Sequence, residues 1–224
     1  MLAAALWLGA WLRGAAAPDD LLDALSELVP ESSPAGLLAQ VRGAGPQRTW
    51  LVLPRPGRSL GWPAGLPGPP EPAVVLTTPG STGVVVRAEP GRWSVSPEVP
   101  TDALALEGAA LTARQARRFL EAALAESAVR LERLGLERAP ARARVPGWQQ
   151  SLAAGPPGLD PEAGDILHRA AVVLDALGLA LADDGAAVTS GEARARSGEL
   201  RRLAGQVEDL VAGVVGGLNP RPVA

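Results

Sequence analysis

The sequence predicts an α+β protein: N-terminal helices, a small antiparallel β-meander of three to five strands, and a C-terminal three-helix region. Three observations predict it. Apolar residues recur at helical spacing up to about residue 41, give way to short runs rich in Val, Trp and Thr between residues 50 and 96, and return to helical spacing after residue 111. Two Pro-Gly joints punctuate the middle runs. A segment with seven prolines, residues 54–72, separates the first strand from the rest. The resulting division is residues 1–110, helical segment plus sheet, and residues 111–224, a helical region packed on that sheet as one domain.

The first helix, residues 2–12, is apolar on every side, so the rest of the fold or a second subunit must cover it. It is too short to span a bilayer, which takes about 20 residues, and no transmembrane segment is expected. Its length also suits a signal-peptide core, with Ala15, Ala16 and Ala17 after it, but the first positive charge, Arg13, follows the run instead of preceding it. The reading is a buried helix in a cytoplasmic protein, with export as the alternative if residues 1–17 are a signal peptide. Pro18, Asp19 and Asp20 open a second helix, since proline suits a first turn and acids suit the positive end of the helix dipole. Its apolar face is Leu21, Leu22, Leu25, Leu28 and Val29; Pro30 ends it, and a short third helix runs from Ser33-Pro34 to Val41.

Residues 50–53, 73–78, 84–88 and 93–96 read as strands. Thr78-Pro79-Gly80 and Glu89-Pro90-Gly91-Arg92 place Pro and then Gly at the centre of type II turns. Val84, Val86 and Ala88 share one face, joined by Trp93 and Val95, while Arg87 and Glu89 point to the other. That pattern predicts a sheet with one wet face. Thr112 and Gln115 form a capping box for a helix to about Arg138, with Phe119, Leu120, Leu124, Leu131 and Leu134 inward and Glu126 paired to Arg130. Asp160-Pro161-Glu162 starts the next helix, ended by Asp183-Asp184-Gly185. A second capping box, Thr189 with Glu192, opens the last one, which buries Leu200, Leu203, Val207, Leu210, Val214 and Leu218 before Gly216, Gly217 and Pro220 stop it.

Composition excludes several chemistries. All 21 basic residues are Arg, Cys is absent, and His168 is the one histidine. Disulfides, thiolate nucleophiles and Cys-ligated metals are therefore excluded, as are a P-loop lysine and any site needing two imidazoles. The net charge of −3 argues against a dedicated nucleic-acid binder.

Residues 51–57 (LVLPRPG) and 180–196 (ALADDGAAVTSGEARAR) resemble a family of uncharacterised bacterial proteins from high-GC genomes. The resemblance implies a strand followed by a proline loop, and a helix–loop–helix, at those positions. It brings no activity with it.

Three candidate sites follow from the residues. His168 has Asp165 and Asp175 on its own helix, and with Ser151, Ser190 or Ser197 it could be written as a hydrolase site, although no nucleophile elbow positions such a serine. Arg138, Arg142 and Arg144 fall in a stretch of net charge +4, residues 111–145, that could hold phosphate groups of a ligand or nucleic acid. Trp62, Pro67 and Pro70 belong to PxxP spacings suited to a polyproline II contact. Asp183-Asp184-Gly185 lacks the following oxygen ligands of a calcium loop. No catalytic residue, metal ligand or cofactor is assigned. The leading function is a non-catalytic interaction or accessory protein, with an unknown protein partner or self-association. Its two contact surfaces are the first helix and the proline loop. The alternatives are the His168 hydrolase and the Arg-cluster phosphate or nucleic-acid binder.

Overall fold

Six α-helices, four strands and a short 3-10 helix (Gln150–Leu152) are found among the described residues: α1 (Leu2–Leu12), α2 (Pro18–Leu28), α3 (Ala35–Ala44), β1 (Arg48–Val52), β2 (Ala73–Thr77), β3 (Thr82–Glu89), β4 (Arg92–Pro100), α4 (Ala113–Arg133), α5 (Pro161–Ala182) and α6 (Ser190–Gly217). The structure is a computed structural model that describes residues 1–55, 71–79, 82–100, 109–133, 147–152, 155–182 and 190–219. The sheet is an antiparallel meander in the order β1-β2-β3-β4, and the fold is α+β. Among the described residues, no helix is long and apolar enough to cross a membrane.

The first helix is covered by the fold itself. Leu2, Leu6 and Leu8 are fully buried, and α1 packs on α2 and β1. Its half-buried Trp11 lies under Arg42 of α3, with the guanidinium carbon 5.6 Å from the ring centroid, a cation–π contact. This corrects the expectation that α1 offers a contact surface. In α2 the inward residues are Leu21 and Leu25, with Val29 just beyond, while Leu28 is exposed.

The β3–β4 turn matches its sequence signal. Gly91 has φ +71°, which the second central position of a type II turn requires, and Arg92 pairs with Glu89 at 2.6 Å across the turn. The predicted wet face does not hold at β2, which is buried at all five positions, whereas Arg87, Glu89, Ser94 and Ser96 toward the β3–β4 turn are half-buried. One face, with Leu51, Val74, Leu76, Val84 and Val86, packs into a core shared with every helix. The other forms a second cluster of Trp50, Val52, Ala73, Val75, Val85 and Val99, with Ala110 against it. Near-continuous apolar runs are what a sheet covered on both sides demands.

In the helical half α4 and α5 each pack on α6 more extensively than on each other. The capping box at α4 forms as predicted: the Gln115 side chain accepts from Thr112 N–H at 2.9 Å, and Thr112 Oγ1 accepts from Gln115 N–H at 3.3 Å. The buried stripe of α4 is Ala116, Leu120, Ala123 and Ser127. Phe119 and Leu124, expected inside, are exposed, and Leu134 lies outside the described residues. Three small residues in that stripe let α4 approach α6 closely, and larger ones would hold the axes apart.

The last turns of α6 join the two halves. Leu111 N–H donates to Gly213 carbonyl at 2.8 Å, and Gly216 faces the Trp50 ring. β1 is an edge strand, and the Asn219 side chain takes the place of a neighbouring strand there. Thr49 N–H donates to Asn219 Oδ1 and Asn219 Nδ2 donates to Thr49 carbonyl, each at 2.8 Å.

A Cβ on Gly217 would lie 2.0 Å from the Leu111 carbonyl oxygen, a backbone atom that cannot step aside. Gly217→Ala should lower stability by about 1–2 kcal/mol, because overpacking exceeds the gain of about 1 kcal/mol in helix propensity. Gly178→Ala in α5, where nothing lies within 4 Å, should instead add about 0.5–1 kcal/mol. Urea unfolding of the two variants checks the opposite signs.

Candidate functional site

The strand register carries one row of residues to the end of the helix-facing side of the sheet. Val52 pairs with Ala73, Val74 with Val86 and Ala88 with Trp93. Extending these pairings puts Leu53, Pro72 and Ala88 side by side on the face that carries Leu51, Val74 and Val86. Pro72 and Ala88 are smaller than the Val and Leu of the preceding rows, so the core layer thins here. A cavity of about 450 Å³ is left, lined by Met1, Leu2, Leu53, Pro72, Ala88 and Trp148, with Gly147 and Glu71 completing it. That volume lies within the range of about 300–1,000 Å³ of ligand-sized sites.

Trp148 is held in the wall by α5. The Asp175 carboxylate accepts from Trp148 N–H at 2.8 Å, Gln149 N–H at 3.2 Å and Gln149 Nε2 at 3.1 Å. Gly147 is required beside it, since a Cβ there would meet Asp175 Oδ1 at 1.9 Å. Two residues beyond Leu53, Arg55 ties the first residues of the proline segment to α6. It pairs with Asp209 and lies 3.7 Å from Glu208, whose pKa burial pushes up against the pull of that arginine.

Two candidate segments from the sequence meet this place by their ends. The proline segment leaves after Leu53 and returns at Glu71-Pro72, and the stretch bearing the three arginines returns at Gly147-Trp148. Trp62, Pro67, Pro70, Arg138, Arg142 and Arg144 themselves lie outside the described residues, as does Asp183-Asp184-Gly185. The cavity lining offers one carboxylate, Glu71, and otherwise apolar or backbone surface. It can seat an apolar group, with the Glu71 carboxylate and the Met1 amino group, whose pKa burial lowers, as its charged groups. Sequence reasoning missed Leu53, Ala88 and Trp148 as a set, because only the strand register brings them together. The one available signal was Trp148 standing alone in a loop.

His168 does not gather the predicted acids. It is exposed on α5 and lines a groove between α4 and α5. Asp165 pairs instead with Arg169 at 3.2 Å and Arg117 at 3.4 Å, and Asp175 is committed to the Trp148 turn. Among the described residues, no group of three or more His, Asp or Glu is placed to hold a metal ion.

Among the described residues, a dense polar cluster lies between α4 and α6. The Glu199 carboxylate, 9% exposed, accepts from Ser127 Oγ at 2.7 Å and from Arg202 through Nη2 at 2.6 Å and Nε at 3.0 Å. Arg202 also reaches Glu126 at 3.5 Å, which pairs with Arg130 at 2.5 Å. Ser127 beside a carboxylate invites comparison with an activated nucleophile. Ser127 is 1% exposed, however, and the bidentate arginine lowers the basicity of Glu199. The cluster therefore fixes the register of two helices.

Hydrogen bonding from Arg202, then Ser127, holds the Glu199 carboxyl below its ordinary range despite burial. A carboxyl whose pKa is lower folded than unfolded stabilises the fold above its unfolded value, and loses that contribution as pH falls through the folded one. Glu199→Gln should therefore cost about 1.5–3 kcal/mol near pH 7. The gap to the wild type should close as pH drops below about 4, measured as urea midpoints across that range.

The family description "Rv1486c-like protein, N-terminal domain" matches residues 1–119, and "Rv1486c-like protein, C-terminal domain" matches residues 114–209. No curated protein and no solved structure matches the chain.

Proposed function

The chain belongs to the Rv1486c-like protein family, and we propose that it is a non-catalytic accessory protein that binds a partner polypeptide. The contact is the cavity at Leu53, Pro72, Ala88 and Trp148, which takes an apolar anchor side chain from the partner. The observation that carries this reading is the lining itself. It is a ligand-sized apolar hollow with a single carboxylate at its edge and without a nucleophile or a facing pair of acids among the described residues. Glu71, the one charged side chain there, favours a basic residue beside the anchor. Buried apolar anchors in pockets supply most of the energy of such contacts, which suits a hollow this size.

The same reading keeps residues 1–17 in the working protein, because α1 is built into the core, and has it act in the cytoplasm. Residues 1–110 and 111–224 then serve as one unit, since the cavity takes walls from both.

Ala88 is exposed at the mouth, so Ala88→Trp fills the hollow with little effect on folding. Cross-linking capture from the native host should return a partner with the wild type that Ala88→Trp and Glu71→Arg lose by roughly tenfold or more, the equivalent of about 1.4 kcal/mol. Thermal midpoints of the three proteins should agree. Identical captures by all three would end this reading, and intact mass of the native protein checks that residues 1–17 are retained.

A further inference from the structure

The geometry points to a second interface, separate from the cavity: the α4–α5 face is where two copies of this chain pack against each other. Between these helices runs a groove of about 310 Å³, floored by Leu120 and Ile166 and flanked by Leu124 and Val172. Leu124 is 37% and Val172 42% exposed, so large apolar side chains face solvent on both sides of it. Phe119 is exposed as well but stands about 140° around α4 from Leu124 and belongs to a different face.

Charge selects the occupant. Around the groove stand Arg117 and Arg169, and against them Glu121 and Asp165. The four formal charges sum to zero. A strongly acidic or strongly basic partner gains nothing on such a rim. A second copy presents the same mixed set turned by a twofold axis, which is what a self-complementary interface needs. Asp165 holds both arginines through pairs in which every member is about half exposed. Those pairs contribute little within one chain and can be re-formed across two. Area fits too. The helices run 21 and 22 residues, about 30 Å each, and their joint outer face covers roughly 600 Å² per copy, near the lower end for a stable dimer.

The test is the mass of the full chain in solution. Sedimentation equilibrium at about 100 μM should give twice the 22.9 kDa chain mass, falling toward the single mass as concentration drops below the dissociation constant. Val172→Asp and Arg169→Glu should each leave a monomer with unchanged circular dichroism. The second variant changes an exposed charge and its half-exposed pair with Asp165 but no core side chain, so it tests the interface even if the first perturbs folding. Ala88→Trp should leave the dimer intact, which separates this interface from the cavity contact. A wild type that is monomeric throughout, or a dimer that survives both substitutions, overturns the proposal. So does a different protein captured on this face and lost with Arg169→Glu.

Discussion

The close seating of the end of α6 against β1 and the segment before α4 is the constraint on which the other contacts depend. It needs glycine at Gly213, Gly216 and Gly217, because backbone or an indole ring occupies the space a side chain would take. With the helix that near, Asn219 reaches both backbone groups of Thr49 and satisfies an edge that would otherwise stay open. The same placement lets Arg55 reach Asp209. The sheet and the C-terminal helices thereby share one continuous core, with Leu51, Val74 and Val86 in the same cluster as Leu203, Val207 and Leu210.

The cavity is a consequence of that arrangement. A sheet packed against both α1 and α6 has its helix-facing rows filled by Val and Leu until the register reaches Pro72 and Ala88. There the side chains become small, and the wall has to come from the Trp148 turn. Asp175 supplies the anchor for that turn, with Gly147 leaving room for its carboxylate. An acid that sequence spacing offers as a partner for His168 is used to shape a hollow. Asp175 and Asp165 are thus committed to partners other than His168.

Polar residues divide by burial. In the Glu199–Arg202–Ser127 cluster Ser127 and Glu199 are enclosed under a part-exposed Arg202, and their mutual hydrogen bonds suit one helix register. Asp165 with Arg117 and Arg169 is half exposed and exchangeable. Similar residue types thus act as a lock in one place and as an adaptable rim in the other, and the difference is access to water.

Local chemistry was legible in the chain itself. The helix starts at Pro18, Thr112 and Asp160, the Pro90-Gly91 turn and the inward face of α6 all appear where their residues say, because each depends on interactions within a few positions. The α+β class followed from the change in apolar period. What the sequence left undecided was every matter of which faces meet. The second face of the sheet is buried around Trp50, Val75, Val85 and Val99, and only toward Arg87 and Glu89 does it open as the charges suggested. Ala116, Ala123 and Ser127 face inward in place of Phe119 and Leu124, because the distance between α4 and α6, not hydrophobicity alone, decides which stripe fits. Leu53, Ala88 and Trp148 lie far apart along the chain, and only strand register and the Asp175 anchor make them one site. Such pairings are long-range, and tertiary packing alone chooses among the many that local preferences allow.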